Sequence, residues 1–383
     1  MSKKILSTWP SFSLEEANAV SEVLLSNRVN YWTGNEGRLF EEEFAQYINT
    51  KYAIAVSNGT VALDLALQSL NLNQHDEVIV TSRTFIASVS SIVNSGAKPI
   101  FADVDPESQN ISAETIAAVL SPQTRAIICV HLAGWPCDMD PILNLASQHN
   151  LTVIEDCAQA HGATYKGKPV GSIGDIGCWS FCQDKIMTTG GEGGMVTTDN
   201  QKLWSIMWSY KDHGKCWEAV YKRQHSPGFR WLHESFGTNW RMTEMQSAIG
   251  RIQLKRMPSW HDRRLANAYK IWDAAKESSL FRVPQIPDHI EHAAYKCYIF
   301  VNGNSTLRDR IMDQIKSFGV PCFTGSCSEV YLEKAFEATD FKPESRLSIA
   351  RQLGDTSLMF LCHPTLSKYE IALICKAIRS ISQ

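Results

Sequence analysis

Short apolar runs of strand length recur down the first half of the chain, separated by stretches with helical spacing: Val78–Val80, Pro99–Phe101, Ala126–Val130, Val153–Glu155, Cys178–Phe181 and Met195–Thr198. Runs that are apolar at nearly every position suit strands covered on both faces, and such strands alternating with helices build a mostly parallel sheet between helical layers. Open sheets of this kind bind ligands beyond the carboxyl ends of their strands, so the residue after each run carries functional weight.

The helix signals agree with an α/β chain. Ser13 with Glu16 is a capping-box pattern opening a helix to about Leu25, and Ser367 with Glu370 opens the last one. After Thr60, the spacing of Leu63, Ala66, Leu67 and Leu70 gives one apolar face, so that helix starts at SerAsnGlyThr. A helical, basic stretch from Met242 to Lys276 leads into a second unit with a strand at Cys297–Val301 and a helix near Leu307–Phe318. With 383 residues, more than one core normally holds, two domains are expected: a large one over 1–250 and a smaller α/β one over 251–383.

Composition narrows the function. A net charge of −3 with no long lysine or arginine run argues against nucleic acid and for a small-molecule substrate. Met1–Pro10 has basic residues but no apolar core of signal-peptide length, and no later stretch reaches membrane-spanning length, so a cytoplasmic protein without a membrane partner is expected. The 11 cysteines are scattered singly, as reduced buried thiols are, without the clustered spacing of a zinc site.

The chemistry-bearing residues follow in a fixed order. Ser57, Asn58, Gly59 and Thr60 open a helix, where free N–H groups favour an anion; alone they are more often just a turn and a cap. Asp156 ends the strand ThrValIleGluAsp, as a helix cap or a solvated acid also could. Lys185 precedes the glycine-rich stretch Gly190–Gly194. A phosphate turn, a strand-end acid, a lysine and a glycine loop are together what pyridoxal phosphate (PLP) needs, since it takes a lysine Schiff base and an acidic partner for its ring nitrogen. Two other motifs fail. Gly162–Pro169 follows the P-loop pattern until proline replaces the final serine or threonine, and no GlyxGlyxxGly opens a helix after a strand.

SerAsnGlyThr57–60, ThrPheIleAla84–87, GluAspCysAlaGlnAlaHisGlyAla155–163, SerPheCysGlnAspLys180–185, GlyGluGlyGlyMet191–195, AspHisGly212–214 and AsnTrpArgMet239–242 together resemble the DegT/DnrJ/EryC1/StrS family of sugar aminotransferases. The resemblance runs from Trp32–Gly34 onward. It implies the aspartate-aminotransferase fold, type I of the PLP-dependent transferases, with a mostly parallel seven-stranded sheet in the large domain. It also implies a homodimer with active sites at the subunit interface. Lys185 would be the Schiff-base lysine and Asp156 the partner of the pyridinium nitrogen. Phe85 would stack on the ring and Gln159 lie near its hydroxyl. Gly59, Thr60 and Ser180 would hold the phosphate, joined by Asn239 from the neighbouring subunit. His161 and His213 are as readily structural, and Arg241 is either an anion contact or an ion-pair residue.

Within that family, sugar 3-dehydratases carry histidine where aminotransferases carry lysine, and position 185 is lysine. The expected cycle moves the amino group of L-glutamate to PLP, giving pyridoxamine phosphate, and then to a nucleotide-linked keto sugar. The stretch 185–194 resembles enzymes acting at C4 of a 4-keto-6-deoxy sugar more than those acting at C3, with UDP-linked 4-keto-6-deoxy-GlcNAc as the leaning and surface-glycan biosynthesis as the setting. An extra glycine at Gly190–Gly191 departs from the family pattern. The alternatives are C3 amination, a sugar dehydratase, and a PLP-fold regulator without catalysis.

Overall fold

Five of the six apolar runs fall wholly on strands and the sixth, Cys178–Phe181, does so except for its last residue. The structure, a computed structural model, describes residues 6–381. Met1–Ile5, the start of the stretch scanned for a signal peptide, lie outside the described residues, as do Ser382 and Gln383. In chain order the strands are β1 (Tyr52–Val56), β2 (Glu77–Thr81), β3 (Lys98–Ala102), β4 (Thr124–Val130), β5 (Thr152–Asp156), β6 (Thr164–Tyr165), β7 (Lys168–Pro169), β8 (Ile176–Ser180) and β9 (Gly194–Thr198). Seven of them form one sheet in the order β1-β9-β8-β5-β4-β2-β3. β2, β3, β4, β5 and β8 pair in parallel, while β9 runs antiparallel to both β8 and β1. β1 therefore points with the parallel set, and all strands except β9 open their carboxyl ends on one edge.

Alternate residues of these strands feed two different cores. Val78, Val80, Ile128 and Ile154 pack with Leu63, Leu65 and Leu67 of the helix Gly59–Gln68 on one side. Ile79, Ile127, Cys129 and Val153 pack with Met139 and Ile142 of the helix Met139–His149 on the other. Each such side chain, fully buried, contributes roughly 1.5–3 kcal/mol. β1 is absent from the runs singled out in the sequence, because alanine at two of its five positions weakens the strand signal. β8 ends at Ser180, one residue short of the run, so Phe181 turns into a core with Phe40 and Phe44.

The capping boxes at Ser13 and Ser367 open the helices Leu14–Leu25 and Lys368–Arg379, as their spacing predicts. Thr243 with Gln246 caps the helix Glu244–Lys276, which contains residue 250. Near its start, Leu254 and Met257 join the core around Phe181; near its end, Ala268, Ile271 and Trp272 join a separate core. That second core covers a three-stranded sheet of β10 (Phe281–Arg282), β12 (Cys297–Val301) and β13 (Ser357–Phe360), with helices Ser305–Ser317 and Lys368–Arg379. Leu6 packs against it too.

The P-loop-like stretch is a hairpin. Thr164–Tyr165 pairs with Lys168–Pro169, Lys166 and Gly167 take positive φ (50° and 76°) in the turn, and β11 (Ile290–Glu291) extends the ribbon. All 11 cysteines are free; Cys182 and Cys216 are half-buried, Cys327 is exposed, and the rest are buried. Among the described residues no helix is long and apolar enough to cross a membrane.

Candidate active site

Four strand ends and one loop converge on the open edge of the sheet. Asp156 closes β5, Ser180 closes β8, Ser57–Thr60 follow β1, and Thr84–Phe85 follow β2. Lys185 stands in the loop after β8 and lines a cleft of about 550 Å³ with Phe85, Gln159 and Tyr295.

Asp156 owes its aim to its neighbour. On a strand, adjacent side chains point to opposite faces. Glu155 turns to one face, where its carboxylate accepts from the N–H groups of Gly171, Ile173 and Gly174 (2.7–2.9 Å) and from His131 Nε2 (2.9 Å). His131 Nδ1 accepts from the Cys137 N–H at 3.0 Å, which fixes the proton on Nε2. Burial works to raise the Glu155 pKa, yet His131 and these N–H donors hold it below the usual carboxylate range. With Cys157, Glu155 and His131 make a buried trio of ligand types, but these hydrogen bonds already occupy the carboxylate and both ring nitrogens. Asp156 turns to the other face. Its Oδ2 accepts from Ser88 Oγ at 2.8 Å, Ser88 meets Thr84 Oγ1 at 2.9 Å, and Oδ1 accepts from the Ala158 N–H at 3.1 Å. The carboxylate is 6% exposed, dry enough to act strongly on a cationic ring nitrogen.

The phosphate turn has the shape of a cradle. Asn58 is the N-cap, its Oδ1 accepting from the Val61 N–H at 2.9 Å. The Gly59 and Thr60 N–H groups, in the first turn, have no intrahelical acceptor and suit an oxyanion. A Cβ on Gly59 would lie 2.5 Å from Ser180 Cβ, so glycine is what lets this turn and Ser180 close together.

Phe85 lines the cleft and is 67% exposed, an aromatic side chain open to a ligand. Gln159 accepts from the Ala133 N–H through Oε1 at 2.8 Å, which leaves its NH2 group for a ligand. Lys185 Nζ lies 5.2 Å from the centre of the Tyr295 ring, whose hydroxyl bonds the Asp184 carboxylate. Trp9 Nε1 donates to the Lys185 carbonyl at 2.7 Å, pinning the lysine loop from the N-terminal segment. Ser88, Tyr295 and Trp9 were not singled out in the sequence. Ser88 follows ThrPheIleAla closely enough to be suspected, whereas Trp9 and Tyr295 come from distant segments and leave no local signal.

The other candidates separate. Asn239 is exposed and outside the cleft of its own chain; its neighbours Trp240 and Arg241 pair with Ser57 and Val56. Arg241 donates to Asp212 at 2.6 Å, which makes it an ion-pair residue. His213 is exposed, in a turn with φ 60°. His161 is 1% exposed, its ring tilted against Trp179 and Phe181, with no partner for either nitrogen among the described residues. Burial, then the nearby Lys185 and Arg264, push its pKa down to about 3. Gly190 and Gly191 both take positive φ, 90° and 126°, so the extra glycine serves a turn.

A buried acid, a lysine in an open cleft, an exposed aromatic side chain and a glycine-serine cradle fit PLP. The fold and this site define a PLP-dependent aminotransferase of fold type I. The DegT/DnrJ/EryC1/StrS aminotransferase family model matches residues 10–379. The chain belongs to that family. An aminotransferase from Psychrobacter cryohalolentis of known structure is 62% identical, with a TM-score of 0.95 covering 97% of this chain and 98% of that one. GDP-perosamine synthase of Caulobacter vibrioides is 37% identical over 91% of this chain and 92% of its own. UDP-N-acetyl-3-dehydro-alpha-D-glucosamine 3-aminotransferase of Acidithiobacillus ferrooxidans is 34% identical over 90% and 88%. The last two of these are named for nucleotide-linked sugars.

Proposed function

We propose that the protein transfers the amino group of L-glutamate to C4 of a nucleotide-linked 4-keto-6-deoxy sugar, as a homodimer. Lysine at position 185, lining the cleft, is the observation that carries transamination over dehydration. The C4 position is favoured by the match to GDP-perosamine synthase, whose product is aminated there.

When bound, PLP supplies the electron sink and the temporary amino carrier. The residues do the rest. Gly59 and Thr60 N–H groups and Ser180 Oγ hold the phosphate, and the partner subunit's Asn239 completes the cradle. The Asp156 carboxylate, oriented by Ser88, holds a proton on the ring nitrogen. Phe85 would stack on the ring and exclude water there, and the Gln159 amide would donate to the ring hydroxyl. Lys185 Nζ would act as the general base that moves the proton at the reacting carbon.

The test is the absorbance of the PLP-loaded protein. L-glutamate should remove the cofactor band, and GDP- or UDP-linked 4-keto-6-deoxy sugars should restore it, with the product's new amine placed at C4 by NMR. Amine at C3 would overturn the position. Ammonia release without a donor would make the protein a dehydratase, and a band that glutamate never shifts would favour a non-catalytic role.

A further inference from the structure

Beside the Lys185 cleft lies a second cavity, of about 380 Å³, between Ser7–Trp9, the long helix and Cys362–His363. The two share Asp184, Tyr295, Lys296 and Leu361 as common wall. Arg264, only 1% exposed, is one of the residues lining this cavity. Its Nε and Nη2 have no partner among the described residues, and its Nη1 reaches only the Tyr295 carbonyl, at 3.5 Å. The guanidinium lies 4.8 Å from the centre of the Trp9 ring, which covers it without neutralising it.

A buried cation with no counter-charge is costly, and an anion held against it would offset that cost. Burial pushes the Arg264 pKa down to about 10, which still leaves it charged at neutral pH. Its neighbours add positive charge. Lys296 Nζ sits 4.6 Å from the Tyr295 ring, the same ring that Lys185 approaches. His363, held near 4 by burial and by Arg264 and Lys296, is neutral and offers no anion. Asp184 is the one carboxylate in the lining and is bonded to the Tyr295 hydroxyl.

The shape of the vacancy in hydrogen bonding names the ligand. Nε and Nη2 form one edge of the guanidinium, two parallel donors that match the two oxygens of a planar carboxylate. We propose that this cavity is a carboxylate subsite, in which Arg264 and Lys296 hold a carboxylate of the amino donor beside Lys185. It rests on the aminotransferase reading above, and gives the donor a place distinct from the sugar's.

The PLP-loaded protein is tested with succinate, a dicarboxylate without an amine, and with inorganic phosphate. Succinate should raise Tm saturably in the wild type, not in Arg264→Met, and weakly in Arg264→Lys, which keeps the charge and loses the fork. In turnover, Arg264→Met should raise KM for L-glutamate roughly 10- to 100-fold, with KM for the keto sugar unchanged. Equal succinate stabilisation of the wild type and Arg264→Met, or an unchanged donor KM, overturns the subsite. Phosphate stabilising through Arg264 where succinate does not would make it a general oxyanion site and also overturn it. Should the wild type fail to convert L-glutamate at all, the aminotransferase reading falls, while the succinate arm still decides whether Arg264 binds carboxylate.

Discussion

Glu155 and Asp156 are adjacent carboxylates with opposite duties, and substitution separates them. Asp156→Asn keeps the shape and the Ser88 contact but loses the charge that holds the ring proton, so kcat should fall by at least about 10²-fold with Tm nearly unchanged. Glu155→Ala leaves three N–H donors and His131 buried without their acceptor and should cost about 3–5 kcal/mol, read as a lower urea midpoint. The reverse pattern would reassign the two. Asp156 and Lys185 were legible in the sequence because a strand-end acid and a lysine before glycines are local patterns. Arg264 and Tyr295 were not, since their meaning arises only when the second core brings them against the sheet edge. Asn58 shows the intermediate case: the sequence placed it in a phosphate turn, and its side chain is spent on capping the helix.

At the scale of elements, the site depends on where helices begin. Gly59→Ala would push a Cβ into Ser180 and force the helix start away from β8, a strain of roughly 1–3 kcal/mol. Because the cradle is what moves, the loss should appear as a raised dissociation constant for PLP, measured by equilibrium dialysis; unchanged affinity would clear the turn of phosphate binding. Helix starts and the longer strands were readable because capping boxes and all-apolar runs are short-range signals. β1 was missed where alanine diluted the pattern, and its place in the sheet comes from pairing with β9, a contact across most of the large core.

Whole-molecule behaviour turns first on buried histidines. His161 and His292 are held near 3 and His363 near 4, each chiefly by burial, against 6.5 when unfolded. All three are neutral in the native state, so the unfolded chain binds more protons as pH drops below about 6.5. Stability should therefore be flat above that value and fall at up to about 4 kcal/mol per pH unit between pH 6 and 5, read from urea midpoints. A flat profile across that window would mean the unfolded chain gains no such protons.

The proposed homodimer makes a sharper demand on the whole assembly. Asn239 is exposed on its own chain and lies outside its own cleft, in the stretch after the exposed aromatics Phe229, Trp231 and Phe236. In the proposed homodimer Asn239 serves the cradle of the neighbouring subunit, and burying those rings is what such an interface gains. Lys185→Ala and Asn239→Ala homodimers should then both be inactive. Mixed and allowed to exchange, half of the dimers carry one chain of each kind. In each of these, one site combines Lys185 from one chain with Asn239 from the other, and the second site lacks both. Activity should recover to about one quarter of the wild-type value at equal mixing. Were Asn239 to act within its own chain, every site in every mixed dimer would lack one residue, and no activity would return.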